Sequence, residues 1–323
     1  MNKNINILIM SAGRRVELVN CFKASRDRLN ISGKIFAADI STSAPAIYFA
    51  DEYFIIPRIS ENNYIDSVIR VCKDNNISLV VPTIDTELEI LALNKERIEK
   101  ESGAIVLISN YESVKICCDK IKSANFFVDN GFGIPEVITD SMVLTGEYDF
   151  PLFIKPLDGS SSINAFKVNN KKQLDFFMWY IDKPILQKCV KGTEYTVDCF
   201  IDFEGNIITV VPRIRLQTRS GEVLKGRIEK NQFIIEDVKR LIKTLKLVGH
   251  ITVQCFLTED NSIRYIEINP RFGGGAPMSI MAGADSTENL YRLLLGEQLE
   301  YNDNYIDGAT YSRFDSSIRI DDK

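Results

Sequence analysis

A strand-like segment in the last quarter of the chain ends in three side chains able to bind metal and phosphate. In IRYIEINPRFGGG, apolar residues alternate and the run closes on Glu267, Asn269 and Arg271, followed by glycines. Side chains two apart on a strand share a face, so Glu267 and Asn269 point the same way. Gln254, on the preceding strand-like segment, can meet them across a hairpin at TEDNS.

One carboxylate and two amide oxygens are hard ligands suited to Mg²⁺, which keeps waters and usually takes phosphate oxygens as well. A single carboxylate is too little charge for an all-protein cage, so the set predicts a metal bound together with a nucleotide. Arg271 could reach the same phosphates through charge-assisted bonds. The glycines after it let the backbone approach a ligand closely. The alternative is a polar strand end with ordinary turn glycines.

Two further segments could hold a nucleotide. In KPLDGSSSI, Lys155 ends a strand and precedes a loop whose N–H groups and hydroxyls can cradle phosphate. It is not a Walker A sequence, because no GK[ST] opens a helix, and a solvated hairpin turn is the alternative. In ILQKCVKGTEYTV, the edge groups of 187–190 could hold adenine while Glu194 accepts from ribose hydroxyls. Taken alone, this segment reads better as an ordinary hairpin.

The pattern of predicted strands and helices around these motifs changes near residue 111. Residues 5–109 alternate short β-branched runs with helical patterns at 61–74 and 86–100, which predicts a doubly wound parallel sheet. Ligands of such sheets bind beyond the carboxyl ends of the strands, which here carry SAGRR, ADIS and PTIDTE. After two helical stretches at 111–118 and 120–130, a hairpin-like pair and long alternating strands predict antiparallel sheet. Helices are expected near 171–180 and 231–247.

Composition narrows the function classes. The 323 residues are 45% apolar and 26% charged with net charge −5, as in ordinary globular enzymes, and no basic block favours nucleic acid. No stretch approaches the length of a membrane span. The seven cysteines lack CxxC spacing, which indicates free thiols and a cytoplasmic protein. The single histidine, His250, leaves little for a Ser-His-Asp or multi-histidine metal mechanism.

Taken together and in this order, the motifs resemble the ATP-grasp superfamily, and most of all the ATP-binding units of the carbamoyl phosphate synthetase large subunit. VQ followed by EINPR and glycines is similar to the metal-binding end of that enzyme, and KPLDGSS is similar to the phosphate loop of D-alanine–D-alanine ligases. The resemblance covers most of the chain. It implies an α/β plus α+β protein: a Rossmann-like pre-ATP-grasp domain (1–111), then a two-lobed ATP-grasp domain with a small lobe (112–186) and a large lobe (187–323).

The resemblance also implies roles for individual residues. For the nucleotide, it implies phosphate contacts from Lys120, Lys155, Ser160 and Ser161, adenine contacts from Gln187, Lys188 and Val190, and a ribose contact from Glu194. For the reacting end, it implies magnesium ligation by Gln254, Glu267 and Asn269 and a contact of Arg271 with the transferred phosphate. The hinge departs from the family, which commonly has glutamate where Gln187 or Lys188 stands. The phosphate loop is serine-rich, unlike that of carbamoyl phosphate synthetase, and the chain holds one ATP-grasp unit rather than two.

The activity implied is an ATP-dependent carboxylate–amine ligase that uses two Mg²⁺ (or Mn²⁺) ions and forms an amide through an acyl phosphate, releasing ADP and phosphate. Its partners would be a small carboxylate and an amine, with no nucleic acid or membrane and a possible homodimer. The alternatives are a phosphotransferase, acyl transfer to a thiol or carrier protein, and a nucleotide-binding protein without turnover.

The substrate site is expected between ATP and the first domain. Candidate contacts there are Arg14 and Arg15 after strand one, Asp85 and Glu87 after strand four, and Arg213. Arg215 and Lys225 join Arg271 as candidate catalytic residues. A solvated surface charge is the better interpretation for at least half of these arginines.

Overall fold

The computed structural model describes residues 4–158 and 163–320, and its first unit is a five-stranded parallel sheet in the order β3-β2-β1-β4-β5. Its elements are β1 (Asn6–Ile9), α1 (Val16–Arg28), β2 (Ile35–Asp39), a 3₁₀ helix (Pro45–Tyr48), β3 (Glu52–Ile55), α2 (Tyr64–Asp74), β4 (Ile77–Val81), α3 (Asp85–Leu93), α4 (Lys95–Ser102) and β5 (Ile105–Val106). This is the predicted doubly wound sheet. The helix expected over 86–100 is divided at Asn94, whose side-chain amide donates to the carbonyl of Ile90 at 2.9 Å.

Strands β1, β2 and β4 of the parallel sheet are buried on both faces, which explains their apolar runs, whereas the edge strand β3 is largely exposed. Ile7 and Ile9 pack toward Phe22 of α1, whereas Leu8 and Met10 pack on the opposite side with α2 and α3. The first face also receives α10 (Ala276–Met281) and α11 (Ser286–Leu294), which follow the glycine loop. Residues close to the metal-ligand motif are therefore anchored directly to the N-terminal sheet.

A small antiparallel sheet follows, in the order β7-β6-β8. This part contains α5 (Tyr111–Cys118), α6 (Lys120–Asp129), α7 (Asp140–Thr145), β6 (Leu152–Pro156), β7 (Phe166–Val168), α8 (Lys171–Tyr180) and β8 (Pro184–Lys188). Leu152, Ile154 and Leu174 form its core. Phe127 of α6 packs instead in the core of the next sheet. The lobe limits at 111 and 186 remain predictions.

The last unit is a six-stranded sheet in the order β13-β12-β9-β10-β11-β14, and every pairing in it is antiparallel. Its elements are β9 (Gly192–Ile201), β10 (Ile207–Arg219), β11 (Glu222–Ile228), α9 (Gln232–Leu245), β12 (Gly249–Thr258), β13 (Ile263–Asn269) and β14 (Thr310–Ser312). Helix α9 buries Ile235, Val238 and Leu241 against β9 and β12. Across the described ranges, no helix has both the length and the apolar character of a membrane span.

Candidate active site

The predicted metal ligands lie together on one face of the β12–β13 pair. Antiparallel register places Gln254 directly opposite Glu267. Gln254 Nε2 donates to Glu267 Oε1 at 2.6 Å, and Asn269 Nδ2 donates to the same oxygen at 3.0 Å. One carboxylate and two amides, each with an oxygen to offer, fit a hard cation that takes its other ligands from a nucleotide. In the described residues, no cluster of three or more His, Cys, Asp or Glu side chains could hold a metal alone.

Arg271 continues this face and ties it to the N-terminal domain. Its Nη2 donates to Asp85 Oδ2 at 2.6 Å and to Asn269 Oδ1 at 3.2 Å. Asp85 is the first residue of α3, beyond the carboxyl end of β4. The arginine side chain is 12% exposed, so one edge of it stays open beside the ligand set. The bridge fixes a guanidinium next to the predicted phosphate position.

The three glycines that follow Phe272 pack closely against the protein's own side chains. A Cβ at Gly273 would lie 2.7 Å from Thr252 Oγ1, and one at Gly274 would lie 2.8 Å from Arg15 Nη1. At Gly275 a Cβ would lie 2.6 Å from Val223 Cγ1 and 2.7 Å from Arg213 Nη2. All these distances are shorter than a real Cβ contact. The glycine loop is therefore closely packed against protein side chains. The sequence analysis explained these glycines only by close approach of the backbone to a ligand.

Two lysines, one on the small sheet and one on α6, lie close enough to Glu267 to interact with it electrostatically. Lys155 lies on β6, and Lys120 opens α6 with its Nζ donating to the carbonyl of Pro156 at 2.8 Å. Burial lowers the pKa of both lysines, the Lys120 charge lowers the pKa of Lys155 further, and Glu267 opposes both shifts. Among the described residues, no carboxylate lies within 4 Å of the Lys120 or Lys155 ammonium group. Phosphate oxygens would therefore stabilise these two partly desolvated cations. Ser160 and Ser161 lie outside the described residues.

The predicted adenine and ribose contacts lie on β8 and β9. Gln187 and Lys188 end β8, Val190 follows, and the Lys188 Nζ is 3.5 Å from a carboxylate oxygen of Glu136. Glu194 Oε1 is 2.9 Å from Arg215 Nε. Burial raises the pKa of Glu194, Arg215 opposes this shift, and Glu267 adds to it. The Glu194–Arg215 pair therefore adjoins the metal-ligand face.

Three of the predicted residues lie elsewhere. Glu87 is fully buried, and its carboxylate accepts the backbone N–H of Thr83 at 2.7 Å. Arg213 is 1% exposed and its Nη2 donates to Asp198 Oδ2 at 3.0 Å. Lys225 is exposed on β11, where it pairs with Ser312 of β14. Burial gives Glu87 and Arg213 no surface for a substrate, and we propose that both hold the framework.

The candidate substrate residues Arg14 and Arg15 border a cavity of about 720 Å³ between the N-terminal domain and the six-stranded sheet. Sequence reasoning missed most of its lining, which includes Phe49, Arg219, Glu222, Met281, Arg313 and Asp315. These residues come from separate parts of the chain. No local spacing links them, so only the tertiary structure shows that they share one cavity.

Comparison with known proteins supports this architecture. Residues 7–107 match the family model described as "PylC-like, N-terminal domain", and residues 181–316 match that of "ATP-grasp in the biosynthetic pathway with Ter operon". A carbamoyl-phosphate synthase of Methanobrevibacter smithii is 24% identical over 240 residues, which are 69% of this chain and 64% of that protein. The chain spans 64% and 56% of the first two curated relatives it matches.

Solved structures show the same fold. The ADP complex of N5-carboxyaminoimidazole synthetase from Staphylococcus aureus has a TM-score of 0.72 at 16% identity, covering 93% of this chain and 80% of that chain. The biotin carboxylase domain of Hydrogenobacter thermophilus 2-oxoglutarate carboxylase, bound to MgADP and bicarbonate, has a TM-score of 0.71 at 16% identity, covering 94% and 72%. The chain therefore has the fold of the ATP-grasp ligases, and its residues 181–316 match an ATP-grasp family model, in agreement with the resemblance seen in the sequence.

Proposed function

We propose that this protein is an ATP-dependent carboxylate–amine ligase that forms an amide through an acyl phosphate. The observation that carries the proposal is the face formed by Gln254, Glu267 and Asn269, with Arg271 hydrogen-bonded to Asn269 and Lys155 within electrostatic range of Glu267. Several relatives named for carbon–nitrogen ligation, including D-alanine–D-alanine ligases, support the same reaction class. A small carboxylate, an amine and a homodimeric assembly belong to this proposal.

In this mechanism, ATP lies between the small sheet and the six-stranded sheet. Lys120 and Lys155 hold its inner phosphates, and Arg271 contacts the terminal phosphate. Mg²⁺ held by Gln254, Glu267 and Asn269 would neutralise charge on the terminal phosphates during transfer. The protein's part is mainly positioning and electrostatic stabilisation.

The chemistry then proceeds in two steps. An oxygen of the substrate carboxylate attacks the γ-phosphorus, the bond to the β-phosphate oxygen breaks, and ADP leaves with that electron pair. An unprotonated amine then attacks the acyl carbon, phosphate leaves, and the nitrogen loses one proton. No side-chain nucleophile is needed, which fits a chain with a single histidine.

The test is ADP release with Mg-ATP and a panel of carboxylates and bicarbonate, each paired with amines or with thiols. With a true substrate, ¹⁸O from the carboxylate should appear in inorganic phosphate, and hydroxylamine should trap a hydroxamate. AMP and pyrophosphate as products would contradict the mechanism. Acceptance of thiols in preference to amines would indicate acyl transfer to a thiol, and absence of turnover with every pair would favour a binding protein.

A further inference from the structure

The cavity beside the glycine loop has the size of a small-molecule site. Its volume of about 720 Å³ lies within the usual range for ligand pockets. It is walled by the start of α1, the 3₁₀ helix, the β10–β11 hairpin, α10 and residues 311–318. The N-terminal domain and the last residues of the six-stranded unit thus enclose it together, and Gly274 joins it to the metal-ligand face.

Two guanidinium groups converge on the inner end of this cavity. A Cβ placed on Gly274 would lie 2.8 Å from Arg15 Nη1, 3.6 Å from Arg313 Nη1 and 3.5 Å from Glu222 Oε1. Glu222 neutralises Arg313, since Arg313 Nη1 donates to Glu222 Oε2 at 2.9 Å. Arg15 is different: its Nη2 makes a long 3.4 Å hydrogen bond to the carbonyl of Thr83. Within the described part of the chain, no carboxylate lies within 4 Å of Arg15.

The surroundings of Arg15 favour an incoming anion. Burial and the charges of Arg271 and Arg313 lower the pKa of Arg15 to about 10, against the opposing charges of Glu222 and Asp85. The guanidinium is therefore still charged at neutral pH, and the described residues place no carboxylate in direct contact with it. A carboxylate would restore the lost solvation through charge-assisted bonds. The electrostatic effect of Arg271 on Arg15 also places this anion site next to the predicted phosphate-transfer position.

The arginines at the rim of the cavity already have a carboxylate partner. Arg219 at the rim makes two hydrogen bonds of 2.8 Å to the carboxylate of Asp315, and Arg14 Nη2 lies 3.9 Å from the same carboxylate. The remaining walls combine polar residues, including Glu17, Asn20 and Ser220, with a group of apolar residues: Val16, Pro45, Phe49, Pro277, Met278 and Met281. The cavity therefore offers Arg15, a buried cation without a directly paired carboxylate among the described residues, and several apolar side chains beside it.

We propose that this cavity binds the substrate of the proposed ligase, a monocarboxylic acid with an apolar body, with its carboxylate on Arg15 and its body against Phe49 and Met281. The assignment rests on the proposed function and deepens it by naming the substrate class. A second carboxylate would meet apolar side chains or an arginine already paired with an acid, so dicarboxylates are disfavoured.

Calorimetric titration with simple probes tests this class directly. The probes are butanoate, hexanoate and octanoate, with hexanedioate and hexanamide as matched controls, each titrated with and without Mg²⁺ and a non-hydrolysable ATP analogue. Affinity should rise by about two- to fourfold per methylene, because each added CH₂ leaves water. Hexanedioate should bind at least about fivefold more weakly than hexanoate, and hexanamide should show no binding. Tighter binding of hexanedioate, or no binding of any monocarboxylate, would overturn the proposal.

Three variants locate the site. Arg15→Met should weaken hexanoate binding by about tenfold or more, whereas Arg219→Met, which removes an arginine already paired with Asp315, should change it by less than about threefold. Met281 is half exposed, so Met281→Trp should fold normally while shifting the preferred chain from octanoate to a shorter acid. Unchanged binding in Arg15→Met, or an unchanged length preference in Met281→Trp, contradicts the assignment.

The outcome also separates this inference from the proposed ligase activity. If hexanoate binds as expected but no carboxylate stimulates ADP release, the cavity assignment stands and the ligase proposal fails. If ADP release depends on dicarboxylates or bicarbonate, the ligase proposal stands and the monocarboxylate class fails.

Discussion

The metal-ligand face and the cavity beside it are built in opposite ways. Gln254, Glu267 and Asn269 stand on two adjacent strands joined by one hairpin, and ladder pairing alone brings them together. The cavity takes Arg15 from the first domain and Arg313 from the far end of the chain, nearly 300 residues apart in sequence. The first site depends on local register and the second on the docking of whole units. Substitutions in the two sites should therefore affect different steps.

The largest effect should come from Glu267→Gln. This change keeps the volume but removes the single carboxylate from a face whose other members are amides. We expect kcat for ATP turnover to fall at least about 100-fold, since charge stabilisation at the transferred phosphate is lost. The matched control is Glu259→Gln, an exposed residue in the turn of the same hairpin. Wild-type ADP formation by the Glu267 variant at saturating Mg²⁺ would refute the metal assignment, and hexanoate binding should survive in both variants.

Lys155→Met should have the next largest effect, on nucleotide binding alone. Lys155 is partly buried, faces Lys120 and Glu267, and its lowered pKa reflects charge held in a desolvated position. Removing one charge-assisted phosphate contact should raise the dissociation constant for ATP by about 10- to 100-fold. Calorimetry of Lys167→Met provides the comparison, because Lys167 is exposed on the neighbouring strand β7. Equal ATP affinity in the two variants would mean that the loop after β6 is only a hairpin.

The sequence predicted the metal-ligand face but not the cavity, because local strand pairing builds the first and distant segments build the second. The period of two along β13 and the hairpin turn were sufficient to bring Gln254 opposite Glu267, and the alternation of strands and helices was sufficient for the parallel sheet. The pairing of Arg313 with Glu222 had no such signal, because β11 and β14 meet only after the intervening strands and helices have folded. Proximity between distant segments is not contained in any local pattern.

Glu87 shows a second limit of sequence reasoning. Its position after β4 correctly placed it near the carboxyl edge of the sheet, where a ligand contact was expected. The free N–H groups at the start of α3 are closer partners, and the carboxylate accepts from Thr83 at 2.7 Å and Ile84 at 3.3 Å. The Glu87 carboxylate is therefore buried by its hydrogen bonds to these backbone N–H groups. Asp85, two residues earlier, instead accepts a hydrogen bond from Arg271.

A smaller effect is expected where the two sites touch. In Gly274→Ala, the new Cβ would lie 2.8 Å from Arg15 Nη1, so the flexible end of Arg15 must move. We expect KM for the carboxylate to rise about fivefold while ATP affinity stays unchanged. The two changes should not be additive: in an Arg15→Met background, Gly274→Ala should have little further effect. Additive losses would show that the loop acts on turnover by a route other than Arg15.

The smallest effect is expected from Asp315→Asn, which changes the charge at the cavity rim but not the shape of the cavity. Asp315→Asn removes the carboxylate that accepts both hydrogen bonds from Arg219 and lies 3.9 Å from Arg14, leaving the rim more cationic. Because both partners of the Arg219–Asp315 pair are more than half exposed, the change should be worth about 1 kcal/mol or less. Hexanoate affinity should hardly change, since its carboxylate is assigned to Arg15 at the other end. Hexanedioate should gain up to about fivefold, and this gain should decrease at high salt. Equal gains for both acids would mean that the rim attracts anions in general, and that pairing of Arg219 does not set the preference for a monocarboxylate.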